Sequence, residues 1–181
     1  ADPGLLPAPS GGGGKRMKAN IVLIGMPGSG KTSVGKKLAE KLNLIFLDLD
    51  AAIEEAVGKP ISIIFSEEGE ESFRQWETAC AVKASEGSGQ VIATGGGIIL
   101  REENMKALRK TGTIVFLDRS VKEICGSDLS GRPLIGSDPD RVQVLYDQRI
   151  GLYQKYAEVT AGSHEAPEKV AEALAEELLK A

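Results

Sequence analysis

One stretch near the start of the chain, Gly25-Met26-Pro27-Gly28-Ser29-Gly30-Lys31-Thr32, has the residue types and spacing of a loop that wraps phosphate. It follows the apolar run Ile21–Ile24 and precedes a helical pattern, which is the context that the motif G-x-x-x-x-G-K-[ST] requires. Glycines let backbone N–H groups turn onto phosphate oxygens, the lysine reaches the outer phosphates, and the threonine hydroxyl can bind Mg²⁺. A helix behind the loop adds a favourable dipole. The stretch therefore predicts a nucleoside triphosphate site, with contacts at Gly28, Ser29, Gly30, Lys31, Thr32 and Ser33.

Two carboxylates, Asp48 and Asp50, end the next apolar run along the chain. At the period of two of a strand, both side chains point to one side. Phosphoryl transfer needs Mg²⁺ near the phosphates and a group that orients the attacking hydroxyl, and these carboxylates could divide the two tasks. The alternative is that Asp50 caps a helix beginning at Ala51, which leaves Asp48 unexplained. We favour the functional interpretation.

Arg74 lies beside the apolar stripe of a predicted helix, with Glu70 four residues before it and Glu77 three after it. One interpretation is a surface ion pair of little energetic weight. The other is that Glu77 holds the guanidinium still, so that it binds an anionic substrate through two hydrogen bonds. The pattern alone does not decide between them.

Arg149 falls within the apolar face that Leu145, Leu152, Tyr153 and Tyr156 form at helical spacing. An arginine on an inward face is rarely buried without a partner. Its head group can reach solvent at the edge of the protein, or it can serve a ligand pocket. We favour the pocket.

Glycine and arginine also occur at two loops that could approach a ligand. Gly95-Gly96-Gly97 would permit close contact and positive φ, although a tight turn, for which one glycine suffices, is the alternative. Arg132 lies in the polar segment from Gly126 to Asp138, which suits a lid over the transferring phosphoryl group. On the residues alone, a solvated loop arginine is the simpler interpretation of Arg132. His164, the only histidine, is predicted at the surface near the last helix.

The elements that must position these residues alternate along the chain. Strands are predicted at Asn20–Ile24, Leu44–Leu47, Gln90–Thr94, Thr113–Leu117 and near Glu158–Ala161. Helices are predicted at Lys31–Leu42, Asp50–Val57, Glu67–Ser85, Glu102–Lys110, Val121–Gly126, Asp138–Tyr156 and Pro167–Lys180. Apolar strands without alternation indicate a parallel sheet covered on both faces, and the strand–helix alternation indicates a three-layer α/β/α domain. Ligands of such sheets lie beyond the carboxyl ends of the strands, where the phosphate loop, the aspartates and the glycines all fall.

Size and composition set further bounds. The chain has 181 residues, of which 41% are hydrophobic and 27% charged, as in a soluble globular domain. A net charge of -4 offers no basic field for nucleic acid, and no apolar run approaches the roughly 20 residues of a membrane span. Cys80 and Cys125 indicate free thiols in a reducing, cytoplasmic compartment. Residues 1–16 suggest a cloning remnant or flexible linker before one domain over residues 17–181, with Met17 as the natural start and a lid at about 126–138.

Taken together, these features resemble shikimate kinase, within the nucleoside-monophosphate-kinase-like group of phosphate-loop folds. The specific combination is Asp-x-Asp at 48–50, Phe-Arg-x-x-Glu at 73–77, Gly-Gly-Gly at 95–97, Arg-Pro-Leu at 132–134 and Arg-x-x-x-Tyr at 149–153. The resemblance implies a five-stranded parallel sheet of order 2-3-1-4-5, usually in a monomer. It also implies transfer of the γ-phosphoryl group of ATP to the 3-hydroxyl of shikimate.

For the nucleotide, the resemblance implies that Lys31 and Thr32 serve the phosphates and Mg²⁺, and that Asp48 assists at the metal. Arg132 would be the lid arginine and, with Lys31, a catalytic residue. The family commonly has a basic residue against the adenine ring, several positions before the lid arginine. The segment Ile124–Ser130 has none, so the loop Ala161–Pro167 is the expected adenine contact.

For the acceptor, the resemblance implies that Asp50 contacts the shikimate hydroxyls and orients or deprotonates the attacking one. Arg74 and Arg149 would clamp the shikimate carboxylate, with backbone contacts from Gly96 and Gly97. Two alternatives remain: another small-molecule kinase of this fold, such as a gluconate kinase, or a non-catalytic regulator that binds shikimate and nucleotide.

Overall fold

The apolar run Asn20–Ile24 forms the centre of a parallel sheet, since every one of its residues is buried and pairs with a neighbouring strand. The computed structural model describes residues 19–126 and 138–180. Its strands are β1 (Asn20–Ile24), β2 (Ile45–Asp48), β3 (Gln90–Ala93), β4 (Gly112–Asp118) and β5 (Val159–Gly162). They form a five-stranded sheet of order β2-β3-β1-β4-β5, and each of these pairs is parallel. The predicted sheet and its order are confirmed.

Helices cover both faces of this sheet. They are α1 (Lys31–Leu42), α2 (Leu49–Val57), α3 (Ile61–Glu68), α4 (Glu70–Ser85), α5 (Glu102–Thr111), α6 (Val121–Cys125), α7 (Pro139–Tyr156) and α8 (Pro167–Lys180), with a 3₁₀ turn at Ile98–Leu100. Successive side chains of a strand point to opposite faces. Ile21 and Leu23 therefore meet α1 and α8 in one core, whereas Val22 and Ile24 meet α4, α5 and α7 in the other. This is the predicted three-layer α/β/α arrangement.

Helix α3 was not predicted, and as a result the predicted start of α4 is too early in the chain. The predicted helix Glu67–Ser85 is wrong at its amino end, because Gly69, with φ of 87°, ends α3 before α4 begins. Pro60 precedes α3 in an extended conformation, as expected for a residue that starts a helix but cannot continue one. Apolar residues of α2, α3 and α4 then form a small separate core that contains Ile53, Ile64 and Phe73. The other predicted elements match within one residue at each end.

The second strand lies at the edge of the sheet, as the order 2-3-1-4-5 implies. It pairs with β3, and the side chain of Ile45 is 70% exposed. The sheet is covered on both faces as predicted, but a short apolar run does not by itself show whether its strand is central or peripheral. Within the described part of the chain, no helix has the length and apolarity that crossing a membrane requires.

Candidate active site

The phosphate loop, residues 25–32, joins the central strand to α1. Gly28 and Gly30 have φ of 82° and 95°, a region that side chains disfavour. Gly25 allows a close approach, since a Cβ there would lie 2.7 Å from the backbone oxygen of Leu117. Gly30 is also the N-cap of α1 and has no side chain to bond the first N–H groups of the helix. Those N–H groups therefore point toward the place where an anion can bind.

Lys31 is held inside the loop that precedes it. Its side chain is almost fully buried, and its Nζ donates hydrogen bonds of 2.6 Å to the Gly25 oxygen and 2.8 Å to the Met26 oxygen. The carbonyl groups of the loop therefore fix the ammonium group across the phosphate loop. This is the position from which a lysine of this motif reaches the outer phosphates.

Five of the six predicted nucleotide contacts line one cavity of about 260 Å³, which we call the phosphate-loop cavity. Its lining comprises Gly28, Gly30, Lys31, Thr32, Ser33, Asp48, Asp50, Ala93, Thr94 and Arg119. The sixth predicted residue, Ser29, is fully buried and is not among the residues that line the cavity. Its backbone oxygen accepts a 2.7 Å hydrogen bond from Ser163, which ties the loop after β5 to the phosphate loop.

Asp48 and Asp50 both line this cavity, but the backbone brings them there differently from the prediction. Asp48 ends β2 and is the N-cap of α2, where its Oδ1 accepts hydrogen bonds of 3.0 Å from the Asp50 N–H and 3.3 Å from the Ala51 N–H. The alternative in which Asp50 caps a helix beginning at Ala51 is therefore wrong. Asp50 lies in the first turn of α2, so the two carboxylates converge through a strand-to-helix junction and not through strand alternation.

The side-chain oxygen atoms of Thr32 and Asp48 fit a magnesium ion that arrives with a nucleotide. Thr32 and Asp48 offer a hydroxyl and a carboxylate, and Mg²⁺ is often held by one or two side chains together with phosphates and water. Among residues 19–126 and 138–180, no group of three or more His, Cys, Asp or Glu side chains could hold a metal ion. The residues therefore suit a shared site and not a cage built by protein alone.

Arg74 and Glu77 form a buried ion pair on α4, so the surface ion pair considered for Arg74 is wrong. Arg74 Nη1 donates a 2.9 Å hydrogen bond to Glu77 Oε1, and its Nη2 lies 3.4 Å from Glu70 Oε1. The Glu77 side chain is 1% exposed. Burial raises the pKa of Glu77, against the opposing charge of Arg74. Arg74 Nε and Glu77 Oε2 have no hydrogen-bond partner in the described structure, so the pair can accept further polar contacts.

The three glycines after β3 let charged side chains press against the backbone. A Cβ at Gly95 would lie 2.8 Å from Asp50 Oδ1, and one at Gly97 would lie 2.6 Å from Arg74 Nη2. A Cβ at Gly96 would lie 3.1 Å from Arg149 Nη1. None of the three has a positive φ, so the expected left-handed conformation is not used. Close packing is what requires glycine at all three positions, and a tight turn would not.

Arg149 is buried on α7, as the pocket interpretation predicts, and does not extend to solvent. One turn further along the helix, the Tyr153 hydroxyl donates a 2.6 Å hydrogen bond to the Gly96 oxygen. Burial raises the pKa of Tyr153 to about 12, so this donor stays protonated at neutral pH. We call Arg74, Glu77, Gly95–Gly97, Arg149 and Tyr153 the arginine–glycine cluster. It meets the phosphate-loop cavity at Asp50.

Arg119 is a charged residue of the cavity that the sequence interpretation missed. It directly follows β4, and its Nη1 donates a 2.9 Å hydrogen bond to the Gly28 oxygen. The rule that polar residues at the carboxyl ends of parallel strands gather at one edge was applied to the first three strands. Applied to β4 as well, it would have singled out Arg119.

Two further predicted positions lie elsewhere. Arg132 and most of the predicted lid lie outside the described residues. His164 is exposed, as predicted, on the loop before α8, and its Nδ1 lies 2.7 Å from Glu123 Oε1.

Comparison with known proteins gives the family. The family model described as shikimate kinase matches residues 27–179. A shikimate kinase of Symbiobacterium thermophilum is 44% identical over 146 residues, which cover 77% of this chain and 84% of that protein. The solved shikimate kinase of Acinetobacter baumannii, in complex with shikimate, has a TM-score of 0.86 at 33% identity and covers 90% of this chain and 93% of its own. A gluconokinase of Sinorhizobium meliloti, at 17% identity and a TM-score of 0.51 over 90% of this chain and 97% of its own, shares the fold alone. The chain belongs to the shikimate kinase family.

Proposed function

We infer that this chain transfers the γ-phosphoryl group of ATP to the 3-hydroxyl of shikimate, which yields shikimate 3-phosphate and ADP in the shikimate pathway. The observation that carries this inference is the meeting of two buried arginines, Arg74 and Arg149, at the glycines beside the phosphate-loop cavity. Binding of a nucleotide at the phosphate loop does not need these two additional buried cations. A small carboxylated acceptor does, since burying a carboxylate is costly unless cations pair with it.

The phosphate loop would hold the triphosphate. Backbone N–H groups from Gly28 to Ser33 would bond its oxygens, and Lys31 would move from the loop carbonyls to the outer phosphates. Thr32 and Asp48 would hold Mg²⁺, which offsets the negative charge that builds up on the phosphates. The geometry of the loop supports these roles, since the same residues line one cavity.

Asp50 stands where the two parts of the site meet. It lines the phosphate-loop cavity, and its Oδ1 would touch any Cβ placed at Gly95. From there, the carboxylate could accept a hydrogen bond from the 3-hydroxyl and orient it toward the γ-phosphorus. The hydroxyl oxygen bonds to phosphorus as the bond to the ADP oxygen breaks, and the hydroxyl proton passes toward the carboxylate.

Arg74 and Arg149 would bind the shikimate carboxylate from two sides. Glu77 keeps the Arg74 guanidinium in place, and Tyr153 fixes the carbonyl group of Gly96 beside Arg149. A planar guanidinium can give two parallel hydrogen bonds to a carboxylate, which sets the orientation of the substrate as well as its affinity. Backbone contacts from Gly96 and Gly97 would complete the acceptor site.

Three further parts of the proposal rest on sequence alone. Arg132 would close over the transferring phosphoryl group, and the loop Ala161–Pro167 would contact adenine. A cytoplasmic monomer would suffice, since every group assigned here comes from one chain.

The test is an ADP-release assay with ATP and Mg²⁺, run separately with shikimate and with gluconate. We expect turnover with shikimate and a product whose mass equals shikimate plus one phosphoryl group. Turnover with gluconate alone would make the chain a different small-molecule kinase of this fold. Binding of shikimate and ATP without ADP release would favour the non-catalytic regulator.

A further inference from the structure

Arg119 is a second cation of the phosphate-loop cavity, and the roles assigned above leave it unused. It lines the cavity together with Lys31, Asp48 and Asp50. Its 2.9 Å hydrogen bond to the Gly28 oxygen places the guanidinium directly against the phosphate loop. The position is therefore at the phosphate end of the nucleotide site.

Arg119 also forms an ion pair with Glu123, which is itself held by a short polar network. Glu123 Oε2 lies 4.0 Å from Arg119 Nε. The other oxygen of Glu123 lies 2.7 Å from His164 Nδ1 and accepts a 2.8 Å hydrogen bond from Ser120 Oγ. Hydrogen bonds to His164 and Ser120 lower the pKa of Glu123, so its charge is kept. Glu123, which is not among the lining residues of the cavity, is thus a fixed negative charge beside Arg119 Nε.

Most of the hydrogen-bonding capacity of Arg119 is not used by the described residues. A guanidinium has five N–H donors. Among the described residues, Arg119 makes one hydrogen bond, to Gly28, and its Nε is buried without a hydrogen-bond partner. Its side chain is 30% exposed, and because Nε is buried, the donors that can reach a ligand are those of the two Nη groups.

The charges of the cavity explain why a triphosphate would need these additional donors. Asp48 and Asp50 bring negative charge to the place where a triphosphate would add more, and apart from Arg119 the only cation among the described lining residues is Lys31. An arginine matches a phosphate better than any other side chain, because its planar fork bonds two oxygens at once. Among the residues that the structure describes, no aromatic or large apolar side chain lines the cavity, so this surface suits phosphate and not a nucleobase.

We propose that Arg119 is a nucleotide-binding residue that donates hydrogen bonds to phosphate oxygens of the triphosphate. The proposal rests on the proposed function only in that ATP occupies the phosphate-loop cavity. It assigns a phosphate contact to the loop that follows β4, apart from the phosphate loop itself.

The experiment measures equilibrium binding of ATP, inorganic tripolyphosphate and shikimate by titration calorimetry to the full chain and three variants. Arg119→Gln removes the cation, and Arg119→Lys keeps the charge without the fork. Arg109→Gln is the matched control, because Arg109 is exposed and paired with Glu158 at the opposite end of the sheet. We expect Arg119→Gln to weaken ATP and tripolyphosphate binding about tenfold each, with a smaller loss for Arg119→Lys. Shikimate binding and the Arg109→Gln variant should be unchanged.

Each contrary result overturns the assignment for a different reason. Weaker ATP binding with unchanged tripolyphosphate binding would place Arg119 at the base or ribose. An equal loss of shikimate affinity would make Arg119 a structural residue of the loop, and no loss at all would remove it from the site. Since binding is measured without turnover, a chain that binds both phosphates but does not phosphorylate shikimate would contradict the proposed function and leave the Arg119 assignment standing.

Discussion

The nucleotide half of the site is made mostly of backbone from one continuous stretch, whereas the acceptor half is made of side chains from separate elements. The phosphate loop binds through glycine conformations and through a lysine held by its own loop carbonyls. The arginine–glycine cluster brings together α4, the turn after β3, and α7 around a buried ion pair. The first half can be recognised in eight consecutive residues, while the second exists only once the chain has folded. A substitution in one half should therefore change the binding of one substrate and leave the binding of the other unchanged.

The largest effect is expected at the residue that both halves share. Asp50→Asn should lower kcat by about 10²–10⁴-fold, because the amide cannot accept the proton of the attacking hydroxyl. ATP affinity should change little, since the phosphates are held by the loop. Steady-state kinetics with ATP titration measures both quantities, and the exposed Asp147→Asn on α7 serves as the control. Equal losses of turnover and ATP affinity would make Asp50 a structural residue.

Removal of a buried arginine should weaken one half alone. Arg149→Ala is expected to reduce shikimate affinity by about 10–100-fold, the usual value of a hydrogen-bonded charge, and to leave ATP affinity unchanged. Arg141→Ala, on an exposed position of the same helix, should change neither affinity. Calorimetric titration with each ligand checks this. If shikimate binds Arg149→Ala as well as it binds the unaltered chain, Arg149 is not part of the acceptor site.

A single methyl group tests the close packing of the glycine tract. In Gly97→Ala, the new Cβ would overlap the Arg74 guanidinium, which must move away from its partner Glu77. We expect the KM for shikimate to rise about tenfold while the KM for ATP stays the same. Gly151→Ala is the matched control, because a Cβ there meets nothing within 4 Å and helical alanine is favourable. Similar kinetics for the two variants would refute tight packing at Gly97.

The smallest expected effect is a pH dependence of the free energy of unfolding, which arises from Glu77 in the acceptor half. Burial raises the pKa of Glu77 above the ordinary 4.5, so the folded chain keeps this proton at a pH where the unfolded chain has lost it. The free energy of unfolding should therefore fall as pH rises from about 4.5 through the raised pKa. Glu77→Gln should lack this part of the pH dependence. Urea unfolding of both proteins across that range is the measurement, and parallel curves would show that Glu77 does not contribute.

Local sequence signals were sufficient for most of the fold. The apolar runs located all five strands, and capping and periodicity located seven helices to within one residue, apart from the start of α4. Helix α3 was missed because Pro60 and Gly69, which bound it, were not recognised as its limits. The edge position of β2 came only from the resemblance, which implies the order 2-3-1-4-5, because pairing partners depend on contacts that are distant in the chain.

The parts of the site that consecutive residues form could be predicted, whereas the parts that bring together distant residues could not. The phosphate loop was recognised from its motif alone. The pattern around Arg74 gave equal support to a surface ion pair and to an arginine that binds an anionic substrate. Only the resemblance favoured function there, and only the fold shows the burial. Arg119 has no motif around it, and its proximity to Gly28 arises from the neighbouring positions of β1 and β4.

The most direct test of the two-part site is a crystal structure of this chain with ADP and shikimate bound. We expect the shikimate carboxylate within hydrogen-bond distance of both Arg74 and Arg149, with the 3-hydroxyl facing Asp50 and the phosphate loop. A carboxylate bound away from those two arginines, or a 3-hydroxyl turned away from Asp50, would contradict this expectation.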